Sequence, residues 1–461
     1  MSNPSDGARA HVALNRFGLG ARLGERNPKD PSGWLTAQIK DYEPAPAAMD
    51  ELPPSATIVT TYRENGAKLR ALSPVKRLKV RQAQHRRGRE LYGREVEART
   101  TVALTSQTPF AERLVHFWAN HFAISADMPL VTALAGSFER EAIRPHVMGR
   151  FEDMLLAVET HPAMLLYLDQ VRSIGPNSDR AKRAARRGES KRLGINENLA
   201  REILELHTLG VRTGYSQADV TELALAISGW SIMGPDETVE PGGGAFRFKP
   251  LFHEPGPRAV LGKIYSQEGM DQAEAVLRDI AHSEATATHI ATKLARHFVS
   301  DEPPPSLLDR LQLAFLKSEG HLPTLYQALI DAPEAWDASP RKFKTPWEWT
   351  VSALRAIGAD PSTAKVAQRA KQLGQPVWRP QSPAGYDDLA ASWAAPDALI
   401  RRVEVAQQLA RKADPTLDAR DLSKALIGPS LSRTTATEIA RAESPATAIA
   451  LLLVSPEFQR R

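Results

Sequence analysis

A mostly α-helical, multi-helix globular bundle with one short β-ribbon near residues 245–265 is the fold class this sequence predicts. Three observations predict it. Apolar residues recur at helical spacing along most of the chain. Prolines and glycines stand where helices would start and stop. Period-two alternation occurs only just after residue 245.

The 461 residues are 42% apolar and 25% charged, the balance of an ordinary folded protein with a sizeable core. That length exceeds the size at which single cores usually stop growing, so more than one helical unit is expected. A boundary near 340–345 would divide a main helical domain, 1–340, from a C-terminal helical subdomain, 341–461. There is no cysteine, which excludes a disulfide framework, a thiolate zinc site and a cysteine nucleophile. No run of 18 apolar residues occurs, so no membrane span is predicted. The first ten residues are polar and carry no signal-peptide pattern, so the default expectation is the cytoplasm.

Taken in chain order, residues 76–99 form a basic amphipathic helix with nine Lys/Arg against three Glu. Residues 109–125 form a helix opened by Pro109. Pro162, Pro333 and Pro456 each follow an apolar run and open a further helical turn. Residues 174–193 are basic and aperiodic, and read as an exposed loop. Residues 196–209 form a helix stopped by Gly210. Residues 216–230 form a helix with Ser216 as N-cap and Asp219 three positions on. Residues 241–244 read as a flexible loop. Phe246, Phe248, Pro250 and Phe252 alternate as a strand would, and His253 to Pro257 turn the chain. Residues 283–300 form a helix with Ala287, Ile290, Ala291, Leu294 and Phe298 on one stripe.

Candidate chemistry falls on two of these helices. On a wheel of 100° per residue, Leu114, Phe117, Trp118, His121 and Phe122 share one face of the 109–125 helix, and Glu112, Arg113, His116 and Asn120 the other. His116 and His121 are five apart, about 140° around the axis, so they cannot bind zinc together as residues four apart would. In the 196–209 helix, His207 centres the stripe of Leu199, Ala200, Ile203 and Leu206. Asn198, Glu202 and Glu205 lie on the far side. His121 and His207 therefore both point inward. They could meet to hold a divalent metal or move a proton, with Glu202 nearby in sequence. Each could equally be a neutral core histidine bonded to a carbonyl or carboxylate, the commoner fate of a buried polar group. His297 also lies on an apolar stripe, and His253 sits in a turn it could brace. The glycines at 18, 20 and 24 miss the dinucleotide spacing, and those at 242–244 have no lysine or following helix to cradle phosphate.

The stretch Ala13-Leu14-Asn15-Arg16-Phe17-Gly18-Leu19-Gly20, residues 112–122, 194–215 and 253–262, and the tail Ser455-Pro456-Glu457-Phe458-Gln459 together resemble the bacterial family called domain of unknown function 1800. The resemblance covers nearly the whole chain. It implies no transferable activity. Members are often encoded beside a second, sulfatase-like family, which implies a protein partner.

Three functional expectations follow. The first is a helical scaffold or interaction protein working with a partner polypeptide, since no catalytic spacing survives the helical wheel. The second is a metal-dependent or acid/base hydrolase with its site between helices 109–125 and 196–209, on His121, His207 and Glu202. The third, weaker because no recognition motif accompanies the charge, is nonspecific nucleic-acid binding through the basic helix 76–99.

Overall fold

A computed structural model describes residues 6–70, 72–188, 193–234, 244–339 and 342–461. Proline placement explains many helix starts. Pro74, Pro109, Pro162, Pro346 and Pro445 each stand in a first helical turn, where a missing N–H loses no hydrogen bond and the ring presets φ. Ser216 and Asp219 form the expected capping box, and Ser283 caps the helix Glu284–Phe298. Helices dominate, with two small antiparallel two-stranded sheets among the described residues.

The structure corrects several boundaries. The helix begun at Ser216 ends at Ala226, and Trp230–Ile232 is a strand paired with Phe246–Phe248, Trp230 opposite Phe248. Gly229 makes that switch possible: its φ is +87°, and a Cβ there would lie 2.8 Å from the Lys249 carbonyl. Pro250–Phe252 is a 3₁₀ turn, not a continuing strand. Arg258–Val260 pairs instead with Lys263–Tyr265, so the single predicted ribbon is two. Within the basic 174–193 stretch, Asp179–Arg186 is a helix whose N-cap Ser178 accepts from Ala181. It buries only Ala184, too little apolar periodicity for the sequence to show. Residues 189–192, 241–243 and 340–341, within that loop, the glycine-rich loop and the predicted boundary, lie outside the described residues.

The predicted 196–209 helix is α-helical only over Asn198–Glu202 and continues as a π-turn, Ile203–His207. Bonding in a π-turn runs i to i+5. A wheel of 100° per residue therefore fails past Ile203, and Glu202 and His207 do not lie on the opposite sides that it assigned them. Among the described residues two more π-turns occur, Ala13–Phe17 and Glu139–Ile143.

The basic segment belongs to one long helix, Pro74–Thr105. Its first half is largely exposed, while Val96, Arg99 and Ala103 are buried. A continuous apolar core joins Leu14 and Phe17 to Phe110, Phe298, Trp349 and Leu453. The Phe17 ring lies within 6 Å of the rings of Phe110, Phe298 and Trp336. One pair of polar groups inside this core is satisfied in series: Trp118 Nε1 donates to Tyr326 Oη at 2.7 Å, which donates to the Val147 carbonyl at 3.0 Å. Among the described residues, no helix is long and apolar enough to cross a membrane.

Candidate active site

The histidines singled out in the sequence do meet. His121 Nε2 lies 3.1 Å from the His207 carbonyl oxygen, and the two ring centroids are 6.5 Å apart. That contact has a local cause. The π-turn Ile203–His207 ends a helical segment, so its last carbonyls lack partners within the helix. His121 donates to the His207 carbonyl, and His289 Nε2 donates to that of Leu206 at 3.0 Å. The His207 ring is held by a different carboxylate from the one the sequence suggested: Nδ1 lies 2.6 Å from Glu159 Oε1 on the helix Phe151–Thr160. Glu202 is half-buried, and burial raises its pKa. His121 and His207 are 1% and 0% exposed, and neither lines the cleft described below. Burial, then the charge of Lys293, hold His121 well below the usual histidine range. Among the described residues, no group of three or more His, Cys, Asp or Glu is arranged to hold a metal ion.

The opposite face of the same helix, Pro109–His121, carries the site. The wheel put Glu112, Arg113, His116 and Asn120 together, and all four turn toward protein. Glu112 and Arg113 are each 2% exposed. Arg113, His116 and Asn120 line an open-mouthed cleft of about 740 Å³, its mouth included. Facing them are His297 from Glu284–Phe298, Trp347 and Glu348 from Pro346–Ala356, and the connection bearing Trp378, Tyr386 and Asp388.

Each wall is fixed by identifiable bonds. Glu348 is the third residue of a capping box with Thr345, its Oε2 accepting the Thr345 N–H at 2.9 Å. Its other oxygen receives Arg113 Nη1 and, at 2.8 Å, Arg461 Nη2. Arg113 Nε donates to the Gly18 carbonyl at 2.7 Å, which explains the glycines of the N-terminal motif. They bring backbone close to this helix pair, and a Cβ on Gly20 would lie 2.4 Å from Ser352 Oγ. Asn120 clamps the 380s connection: its Nδ2 donates to the Tyr386 carbonyl and its Oδ1 accepts the Tyr386 N–H, both at 2.8 Å. Asp388, two residues on, is thereby set against His297.

Below the cleft runs a closed ring of charged and aromatic groups. Arg144 pairs with Glu112 through both terminal nitrogens, and Glu112 lies 3.4 Å from His116 Nε2. His116 Nδ1 accepts from Trp347 Nε1 at 3.2 Å, and Trp347 stacks under Arg99. Arg99 donates to Glu139, and Arg144 Nη2 closes the circuit 3.5 Å from Glu139. Burial opposes ionisation of Glu112, but Arg144 and then His116 hold its carboxyl down at about 2.

The group available for chemistry is His297. Its Nδ1 lies 3.0 Å from Asp388 Oδ1, while its buried Nε2 has no hydrogen-bond partner and stands 3.9 Å from Glu348 Oε1. Burial lowers the pKa of His297 despite the neighbouring carboxylates. Burial works in the opposite direction on Asp388, whose pKa is nevertheless lowered, first by His297 and then by the positive charge of Lys342 and Lys293. Both directions are met by a neutral imidazole that donates Nδ1–H to an ionised Asp388 and keeps its lone pair on Nε2.

A family model described as protein of unknown function (DUF1800) matches residues 12–460. The chain belongs to that family. No curated protein and no solved structure matches it. In this DUF1800 chain the description of the family specifies no activity, so what the site can do rests on its geometry. Sequence reading named Arg113, His116 and Asn120 but set them on the far side, and it passed over Arg99, Glu348 and Asp388. One signal was available. The polar face of 109–121 carries no lysine, only Glu, Arg, His and Asn, which are suited to fixed hydrogen bonds and not to a solvated surface.

Proposed function

We propose that this chain is an acid/base hydrolase acting on a small molecule in the cleft, with His297 as proton acceptor and Asp388 as the residue that orients it. The observation that carries the reading is the His297–Asp388 pair in the cleft wall, with Nδ1 3.0 Å from Asp388 Oδ1. A histidine of shifted pKa held by a carboxylate in a concave site is a functional candidate. In the proposed step, Nε2 takes a proton from water as the water oxygen bonds to the substrate's electrophilic carbon. The imidazolium then returns the proton to the leaving group, and Asp388 balances the transient charge. The proposed site lies one helix face away from the His121–His207 contact, which does not line the cleft.

A screen of chromogenic esters, amides and lactones with the full chain tests the reading. His297→Asn and Asp388→Asn should retain the fold and lower turnover roughly 10²–10⁴-fold and by a smaller factor, respectively. Because His297 is already neutral at pH 7, the rate should be flat from there upward and fall on acidification. Turnover unchanged in His297→Asn would overturn the assignment.

A further inference from the structure

One cation at the cleft is built unlike the others. Arg99 reaches the wall from the buried half of Pro74–Thr105 and is 7% exposed. Its guanidinium carbon lies 4.3 Å from the centre of the Trp347 ring and 5.4 Å from that of Trp378. Nε donates to Glu139 Oε2 at 2.8 Å, and the same oxygen receives Trp378 Nε1 at 3.1 Å. The faces and one edge of the guanidinium are thereby fixed. Its terminal nitrogens Nη1 and Nη2 make no hydrogen bond among the described residues and are not among the sealed, unsatisfied atoms. Arg113 and Arg144 differ: Arg113 spends Nε and Nη1 on Gly18 and Glu348, and Arg144 spends both terminal nitrogens on Glu112.

We infer that Arg99 is the anchor for a carboxylate on the ligand, which makes the substrate class of the cleft a small carboxylate-bearing molecule. A guanidinium edge with two free N–H groups matches a planar carboxylate in paired, parallel hydrogen bonds. The two indoles hold that edge in place before the ligand arrives, so little side-chain freedom is lost on binding. The acidic groups nearby are each held by fixed partners. Glu348 is met by Arg113 and Arg461. Asp388 is met by His297, and the Lys342 ammonium bonds its carbonyl. Asp387 accepts from Leu389 N and Ser392 Oγ. The inference rests on reading the cleft as the active site and adds what the site recognises.

Calorimetric titration of the full chain at pH 7 with benzoate, benzamide and inorganic phosphate tests it. Benzoate should bind, benzamide at least about tenfold more weakly, and Arg99→Lys should lose at least about tenfold in benzoate affinity. Equal affinity for benzoate and benzamide, or no benzoate saturation by roughly 10 mM, overturns the inference. Phosphate binding more tightly than benzoate overturns the carboxylate assignment. Should Arg99→Lys fail to fold, the benzoate-to-benzamide ratio in the wild type still decides. Benzoate binding that depends on Arg99, alongside turnover indifferent to His297→Asn, would support the anchor while removing the proposed base.

Discussion

Acidification from pH 7 to pH 4 tests the floor of the cleft through His116. The indole N–H of Trp347 can only donate, so His116 Nδ1, 3.2 Å away, must carry a lone pair. The neutral ring then keeps its proton on Nε2, facing Glu112 at 3.4 Å. A second proton would have to sit at Nδ1, directly against another N–H. Burial, and after it the Arg99 charge, push this histidine down to about 4. Glu112 is held at about 2 and stays ionised throughout that window. In the unfolded chain the same ring titrates near its ordinary value of about 6.5. The folded pKa is the lower one, so on acidification the unfolded state takes up the proton first. The stabilisation is therefore fully present above about pH 6.5 and drains away as pH falls toward 4. At about 1.4 kcal/mol per pH unit, the window corresponds to roughly 3 kcal/mol. Urea unfolding followed by circular dichroism at pH 7, 6, 5 and 4, on wild type and His116→Gln, isolates this contribution because other titrating groups cancel in the difference. The stability gap between the two proteins should shrink by roughly 3 kcal/mol across the series. A gap that stays constant within about 0.5 kcal/mol would refute the neutral, Trp347-bonded ring.

Three further outcomes are expected. Asn120→Ala should cost about 1–3 kcal/mol, because it leaves the Tyr386 N–H and carbonyl without partners; hydrogen exchange at residues 385–388 should rise, and unchanged protection there would remove the clamp. Gly20→Ala should destabilise more than Gly24→Ala by at least about 1 kcal/mol, since both have positive φ but a Cβ meets Ser352 only at Gly20; equal melting temperatures would contradict this. His121→Phe should cost about 1–3 kcal/mol by stripping the donor from the His207 carbonyl, with metal content by mass spectrometry the same in variant and wild type; metal lost with the imidazole would restore the metal-site reading.

Helix positions were largely legible because they rest on local chemistry. Ser216 with Asp219, Ser283, Pro109 and Pro162 each act within a few residues of themselves, and the structure shows their helices where the caps put them. The strand at Trp230 was illegible because its partner, Phe248, lies across a loop, and an apolar run after a helix looks like more helix. The π-turn at Ile203–His207 was hidden for a related reason: a wheel assumes one constant period, and a single inserted residue in a turn breaks it. For the site, amphipathicity misleads wherever a helix is buried on both sides. Pro109–His121 has an apolar face against Tyr326 and a polar face against Glu348 and Asp388, and sequence alone cannot tell a polar face toward water from one toward counter-charges. His297 was read only as a member of an apolar stripe, because its carboxylate partner Asp388 lies 91 residues away.

The spacing between Arg113 and Glu348, 235 residues, has a consequence during synthesis. A ribosome adding roughly 5–20 residues per second leaves the arginine without its carboxylate for roughly 10–50 s. Over that interval Arg113 and His116 are made without the Trp347, Glu348 and Asp388 that complete the cleft wall. The last third of the polypeptide supplies that wall on arrival, so a transcript cut short before codon 345 would yield a product with a raw charged seam, a ready client for chaperones and proteases.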